Sequence, residues 1–281
     1  MRQQRYRLFS FLVSGIILFQ MGAGAAAAPP AQPWTQLEPG LDLALFPSPR
    51  PSSSGDSVIR VLRIDPERFE LRLLNASATK DKRPLTAKQW CERFWCIAAI
   101  NASMFQTDDS TSISLMRTGE HVNNPRLSKD RTILAFNRLA PDVPTVTMID
   151  RDCDDLEQLA GKYGTLIQSI RMLSCKGKNV WAQQPQRWST AAVGTDKKGR
   201  VLFIHVRSPF TTHDLVNILM ELPLELARAM YVEGGPEAQL FIGAGGRIEE
   251  FVGMYDIPFY DSGDPAPPVP NVIAVMRKQG R

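Results

Sequence analysis

From Ser57 to Met276 the apolar residues arrive in short runs, and a turn former closes nearly every one: Asp65-Pro66, Thr118-Gly119, Lys176-Gly177-Lys178, Lys198-Gly199, Gly234-Gly235 and Gly243-Ala244-Gly245-Gly246. Runs this short, so punctuated, read as strands. Phe69, Leu71 and Leu73 alternate with Glu70 and Arg72, the period of a strand with one buried face. Cys96–Asn101 is a compact apolar run and reads as a buried strand. Hairpins are expected from Ile113–Arg117 with Glu120–Asn123, Ala191–Thr195 with Arg200–Val206, and Ala238–Ile242 with Arg247–Val252. Ser57–Asp65, Thr132–Asn137, Thr145–Ile149, Thr165–Leu173, Leu226–Glu233 and Asn271–Met276 complete the strand set. Helical signals are few: a capping box at Thr86–Gln89, a short helix from Asp154 to Tyr163, and a capping box at Thr211 that opens the stripe Leu215, Ile218, Leu219, Leu222. This balance predicts an α+β or mixed α/β architecture: a single domain with a central mixed, mainly antiparallel sheet and few short helices.

The N-terminus reads as a secretory signal peptide over residues 1–28. Arg2, Arg5 and Arg7 give a positive start, Leu8–Met21 an apolar stretch short for a membrane span, and Ala23–Ala28 several cleavage sites. Residues 29–55, rich in Pro, Ser and Ala, read as a linker or meandering arm, and 56–281 as the folded domain. No other apolar run is long enough to span a bilayer, so no stable membrane insertion is expected after cleavage, and the periplasm or cell exterior is the expected location. The whole chain carries +4. Three of its arginines fall in the leader, so the mature chain is close to neutral, which argues against a nucleic-acid partner.

Export puts the four cysteines in an oxidising compartment, where an even number reads as disulfides. Three connectivities are possible. Closeness in sequence favours Cys91–Cys96 with Cys153–Cys175. Five residues along a straight helix is too far for a bond, so the chain must turn between Cys91 and Cys96. Zinc is the weaker reading, since there is no C-x-x-C and the histidines are His121, His205 and His213.

Three segments carry a resemblance when taken in order and spacing: Ala99–Phe105 (A-I-N-A-S-M-F), Ala191–Val206 (A-A-V-G-T-D-K-K-G-R-V-L-F-I-H-V) and Tyr231–Leu240 (Y-V-E-G-G-P-E-A-Q-L). Together they resemble the phosphodiester glycosidase family, relatives of the enzyme that uncovers mannose 6-phosphate, and look closest to an exported bacterial branch. The family usually shows Asn-Gly-Gly in the first segment, where this chain has Asn101-Ala102-Ser103. It usually shows Asp-Gly-Gly in the third, where this chain has Glu233-Gly234-Gly235-Pro236. Thr190 stands where an arginine is common. The resemblance implies a carbohydrate or sugar-phosphate substrate, cleaved at the anomeric carbon.

The residues support a site on their own chemistry. Glu233 follows an apolar run and precedes two glycines, so a carboxylate is projected from a rigid strand into a turn that a ligand can approach closely. The plain alternative is an acid that only caps the turn. Asn101 ends a buried strand and can donate and accept at a sugar hydroxyl or phosphate oxygen, or it can hold a loop through backbone bonds. Ser103 adds a hydroxyl beside it. Arg207, at a strand end with His205 on the same face, is a candidate phosphate clamp; His205 alone reads more simply as a core histidine. Gln168 and Arg171 lie on opposite faces of one strand, so one of them would face a cleft. Glu237 is either a second carboxylate or a solvated edge residue. Gly234 and Gly235 complete the substrate-binding set. Trp90, Trp95, Trp181 and Trp188 offer stacking faces, with burial the commoner fate. The expected function is an exported glycosidase-like hydrolase acting on a sugar-1-phosphodiester or related envelope glycan. The alternative is a non-catalytic glycan-binding module. No cofactor is expected, although a divalent ion held by Glu and Asp oxygens remains a third possibility.

Overall fold

The structure is a computed structural model that describes residues 33–256 and 265–278. The expected signal peptide lies outside the described residues. In chain order the elements are β1 (Trp34–Glu38), β2 (Leu41–Pro47), β3 (Val58–Ile64), β4 (Phe69–Asn75), α1 (Ala87–Phe94), β5 (Ala98–Asn101), β6 (Met116–Thr118), β7 (His121–Asn124), β8 (Thr132–Arg138), β9 (Thr147–Asp150), α2 (Leu156–Ala160), β10 (Tyr163–Leu173), β11 (Trp188–Asp196), β12 (Val201–Phe210), α3 (Thr212–Glu221), β13 (Leu226–Gly234), β14 (Gln239–Ile242), β15 (Glu249–Val252) and β16 (Asn271–Arg277).

The strands form two sheets. The larger runs β1-β2-β3-β12-β11-β13-β10-β6-β7, with β8 on β10 and β9 on β8; the smaller runs β15-β14-β5-β16-β4. The sheets pack face to face. Leu62, Phe203, Val193 and Val232 from the large sheet meet Leu71, Ile100, Leu240 and Ile273 from the small one in a single core. α3 covers the outer face of the large sheet through Leu215, Val216, Ile218 and Leu219. α1 covers the outer face of the small sheet, with Trp90 sealed against Ala99, Phe241 and Ala274. This explains why β12 reads as a continuous apolar run. Val201 and Phe203 face the other sheet while Leu202, Ile204 and Val206 face α3, so both sides are dry. Each such side chain contributes about 2 kcal/mol.

Several expectations are corrected. The class is mainly β: among the described residues the three α-helices are only 8, 5 and 10 residues long, and they cover sheets without interleaving with strands. There are two stacked sheets where one central sheet was expected, and every strand pairing among the described residues is antiparallel, not mixed. Residues 29–55 are not simply a linker, because β1 and β2 form a hairpin at the edge of the large sheet. Leu41, Leu43 and Phe46 anchor it in the core, a pattern the prolines and serines just after it masked. The α2 helix is also shorter than its signal, because Tyr163 already begins β10.

Both favoured disulfides are present, Cys91–Cys96 and Cys153–Cys175. The turn that the first requires is made by Trp95, which caps α1 in the left-handed region at φ +54° and brings the Cα atoms to 4.5 Å.

Candidate active site

β13 carries the chain along the large sheet to Glu233. Gly234-Gly235-Pro236-Glu237 then hands it to β14 in the small sheet. Gly235 takes φ +64°, a conformation that favours glycine, and the crossing is a single 3-10 turn. Just before it a β-bulge sets Glu233 opposite Ala191 while Tyr231 pairs with Ala192. Bulges of this kind re-aim side chains near functional sites. Asn101 closes the crossing from the neighbouring strand of the small sheet. Its Nδ2 donates to the Glu237 carbonyl at 2.8 Å, and its Oδ1 accepts from the Gln239 N–H at 2.7 Å. The second segment forms β11, directly beside β13, and β12 on its far side. The three sequence segments therefore meet at one end of the sandwich.

Glu233 keeps a partly open surface, yet protein surrounds most of its carboxylate, which accepts a hydrogen bond from the Gly234 N–H at 3.0 Å. Burial pushes its acid constant up to about 8; the Gly234 N–H pulls the other way, and the charge of Glu237 adds to the rise. Glu233 is thus mainly neutral at pH 7 and has a proton to give. Tyr231 stands alongside. Its hydroxyl sits over Gly234, where a Cβ would strike it, and burial holds the phenol well above its ordinary value. Trp181 and Trp188 flank the Tyr231 ring at 5.6 and 6.5 Å between centroids. Thr190, paired with Gly234, and Trp188 each present a buried polar atom without a partner among the described residues.

Residues 95–276 match the phosphodiester glycosidase family. The chain belongs to that family. Among solved structures, the catalytic domain of zebrafish N-acetylglucosamine-1-phosphodiester alpha-N-acetylglucosaminidase, auto-inhibited by its pro-peptide, is similar at a TM-score of 0.63 and 13% identity, over 86% of this chain and 85% of that one. A hypothetical protein from Synechocystis is similar at 0.60 and 13%, over 90% of this chain and 64% of that one. At such identities the likeness shows the fold. No curated protein matches the chain.

In this member of the family the remaining candidates fall into two groups. Several are spent on structure. Asn101 is buried and gives both amide atoms to main chain, so it positions the crossing turn and presents no free amide to a cleft. Ser103 is buried, its N–H on Asn271 Oδ1 at 3.2 Å and its Oγ within 3.4 Å of the Gln168 carbonyl. Gln168 clamps the 128–130 loop, accepting from Ser128 N–H at 2.9 Å and donating to Asp130 O at 2.6 Å. Arg171 is bound to Asp150 at 2.6 Å and Asp152 at 2.7 Å. Its guanidinium is committed there, so it does not join Glu233. Asp150 also lies near both sulfurs of the Cys153–Cys175 bond, but disulfide sulfurs offer no thiolate to a metal.

The second group lies near Glu233 or in its row across the large sheet, where Glu233 pairs with Ala191, Ala191 with His205, and His205 with Arg60. Glu237 is half-buried on the crossing turn, close enough for its charge to act on Glu233. His205 and Arg207 line a cavity of about 320 Å³ between β3 and β12 of the large sheet and β15 of the small one. Glu233 does not line it. Sequence reasoning passed over Tyr231, Arg60, Asp56 and Phe251. Tyr231, two residues before Glu233 in the third segment, was legible as a neighbour; the others reach the site only through sheet register.

Proposed function

We propose that this chain is an exported glycosidase that cleaves a sugar-1-phosphodiester, or a related envelope glycan, at the anomeric carbon, with Glu233 as the acid. The observation that carries the reading is a largely enclosed carboxyl whose hydrogen bond comes from the adjacent Gly234 N–H, at the end of β13, beside a glycine pair, within the family-matched segment; burial there favours its protonated form. A charged carboxylate would repel an anionic phosphodiester; a neutral one does not, and it can donate to the glycosidic oxygen. As the bond from the anomeric carbon to that oxygen breaks, the Glu233 proton passes to the departing oxygen and the sugar develops oxocarbenium character. Water adds at the same carbon, and the proton it releases restores the carboxyl through solvent. The aromatic cluster of Trp181, Trp188 and Tyr231 supplies apolar faces for a sugar ring, and Asn101 fixes the turn that sets Glu237 near the acid. The apolar leader and the two disulfides support a periplasmic or secreted location.

The altered first segment, Asn-Ala-Ser with its amide turned to main chain, supports a second reading, in which the chain binds glycans without turning them over. Purified mature protein assayed against sugar-1-phosphodiesters and nitrophenyl sugars separates the two by product formation. On an accepted substrate Glu233→Gln lowers kcat by about 10²–10⁴-fold with an unchanged circular dichroism spectrum. Near-wild-type turnover in that variant would reject the role.

A further inference from the structure

Trp95 is 85% exposed, more than any other large hydrophobic side chain among the described residues. Its backbone is unusual as well. It caps α1 in the left-handed region, at φ +54° and ψ +36°, where glycine is the common residue and a bulky side chain is strained. A turn that had only to reverse the chain would be made with less strain by glycine. The position therefore supplies a side chain, at some expense in backbone energy. The Cys91–Cys96 disulfide closes across it, so the indole stands on a rigid turn and needs little ordering to meet a partner.

The surroundings of Trp95 are cationic. Between residues 80 and 95 the chain carries Lys80, Lys82, Arg83, Lys88 and Arg93 against Asp81 and Glu92, although the mature chain as a whole is close to neutral. Arg93, in the last turn of α1, grips Asp81 with both terminal nitrogens, at 2.9 and 3.1 Å. That ion pair lays the 80–83 loop beside the helix that presents Trp95, and the Thr79 hydroxyl steadies it through Asp81 at 2.9 Å. Lys80, Lys82 and Arg83 are exposed and make no ion pair among the described residues. α1 turns Trp90 and Cys91 inward against the small sheet, which leaves these cations and the indole on its outer side.

Charge and shape together select a partner. Unpaired cations call for an anionic surface. An indole that stands proud of the protein enters its partner and does not receive it, so that surface must have an apolar layer just beneath its charges. An acidic polypeptide or polyanion offers the first property without the second. A bilayer containing anionic phospholipid offers both, and tryptophan favours the boundary between headgroups and acyl chains.

We propose that the outer face of α1 docks this protein on a membrane rich in anionic phospholipid, with Trp95 entering the headgroup layer and Lys80, Lys82 and Arg83 meeting lipid phosphates. Such contact lies on the bilayer and does not span it. Trp95 stands just before β5, and Asn101 with the crossing turn lies at the far end of that strand, so the docked face is separate from the Glu233 turn. The proposal does not depend on Glu233 being catalytic.

The test is co-sedimentation of the mature protein, freed of its apolar leader, with vesicles of pure phosphatidylcholine and of equimolar phosphatidylcholine and phosphatidylglycerol. Binding is expected to the second and not the first, and to weaken as salt is raised. Replacing Lys80, Lys82 and Arg83 together by Gln weakens it about a hundredfold. Trp95→Gly weakens it about tenfold, with a Tm equal to or above the wild type, because glycine suits the left-handed cap. Lipid brominated near the headgroup quenches part of the tryptophan emission in the wild type and not in Trp95→Gly. Leu139→Ala, which trims a 69% exposed leucine beyond β8 of the large sheet, binds like the wild type, as does Glu233→Gln. The proposal is overturned if no protein sediments with the anionic vesicles, or if Trp95→Gly binds them like the wild type. It is also overturned if polyglutamate binds more tightly than the vesicles at equal charge, which would assign the face to an acidic protein.

Discussion

Two carboxylates at buried strand ends show how differently this sandwich treats acidic groups. Asp150, at the end of β9, is almost sealed, and it accepts from Arg171 Nη1 at 2.6 Å, from the Asp152 N–H at 3.1 Å and from the Cys175 N–H at 2.8 Å. Burial alone would raise its acid constant, but the two N–H groups and Arg171 outweigh it, and the group stays below the usual carboxylate range. Glu233, at the end of β13, has the Gly234 N–H and a like charge nearby, and it is pushed upward. The first acid ties β9, β10 and the Cys153–Cys175 loop together. The second is left short of partners at a cost to folding, the arrangement expected of a group used for chemistry.

Breaking each acid's environment should therefore have opposite readouts. Arg171→Ala leaves Asp150 charged and without its main cation. The expected loss is about 3 kcal/mol of unfolding free energy, with turnover per folded molecule unchanged, in contrast to Glu233→Gln, which takes turnover and costs no stability. Denaturant titration alongside an active-fraction assay checks this. An Arg171→Ala protein that unfolds like the wild type would remove the contrast. A smaller effect is expected from Asn101→Ala, which deletes the two bonds to the crossing turn. It should cost about 2 kcal/mol and lower kcat more than it raises KM, because the Glu237 turn moves while the sugar contacts remain. A rise in KM at constant kcat would instead put the Asn101 amide on the substrate.

The strands and both disulfides were legible because their signals are local: alternation at Phe69–Leu73, turn residues at Asp196–Gly199, and cysteines near one another in sequence. The stacking of two sheets was not, because a strand dry on both faces reads the same under a helix layer as under a second sheet. Of the site, the meeting of Asn101 with the Glu233–Glu237 segment was readable from the ordered motifs. The fate of each side chain was not. Nothing in the sequence near Arg171 announces that Asp150 and Asp152 claim it, because those partners come from β9 and the turn beyond it, far from Arg171 along the chain. Likewise, Gln168 reads as a free amide until the 128–130 loop is folded over it.

The smallest effect bears most directly on Glu233. A carboxyl whose constant is raised from the usual 4.5 to about 8 binds a proton more tightly in the folded chain than in the unfolded one. Stability from this group is therefore full below pH 4.5, falls as pH rises between 4.5 and 8, and then levels off. Asp150 works in the opposite sense and at lower pH: its contribution is present above the ordinary aspartate range and fades only as acid protonates it. Glu233→Gln removes the first dependence and keeps the second. Relative to the variant, the wild type should lose unfolding free energy between pH 5 and pH 8, by about 1 kcal/mol once the partly open carboxyl is discounted for solvent screening, while the two follow the same course below pH 4. Parallel curves from pH 5 to 8 would mean that Glu233 ionises as an ordinary surface acid, and the difference between the two carboxylates would disappear.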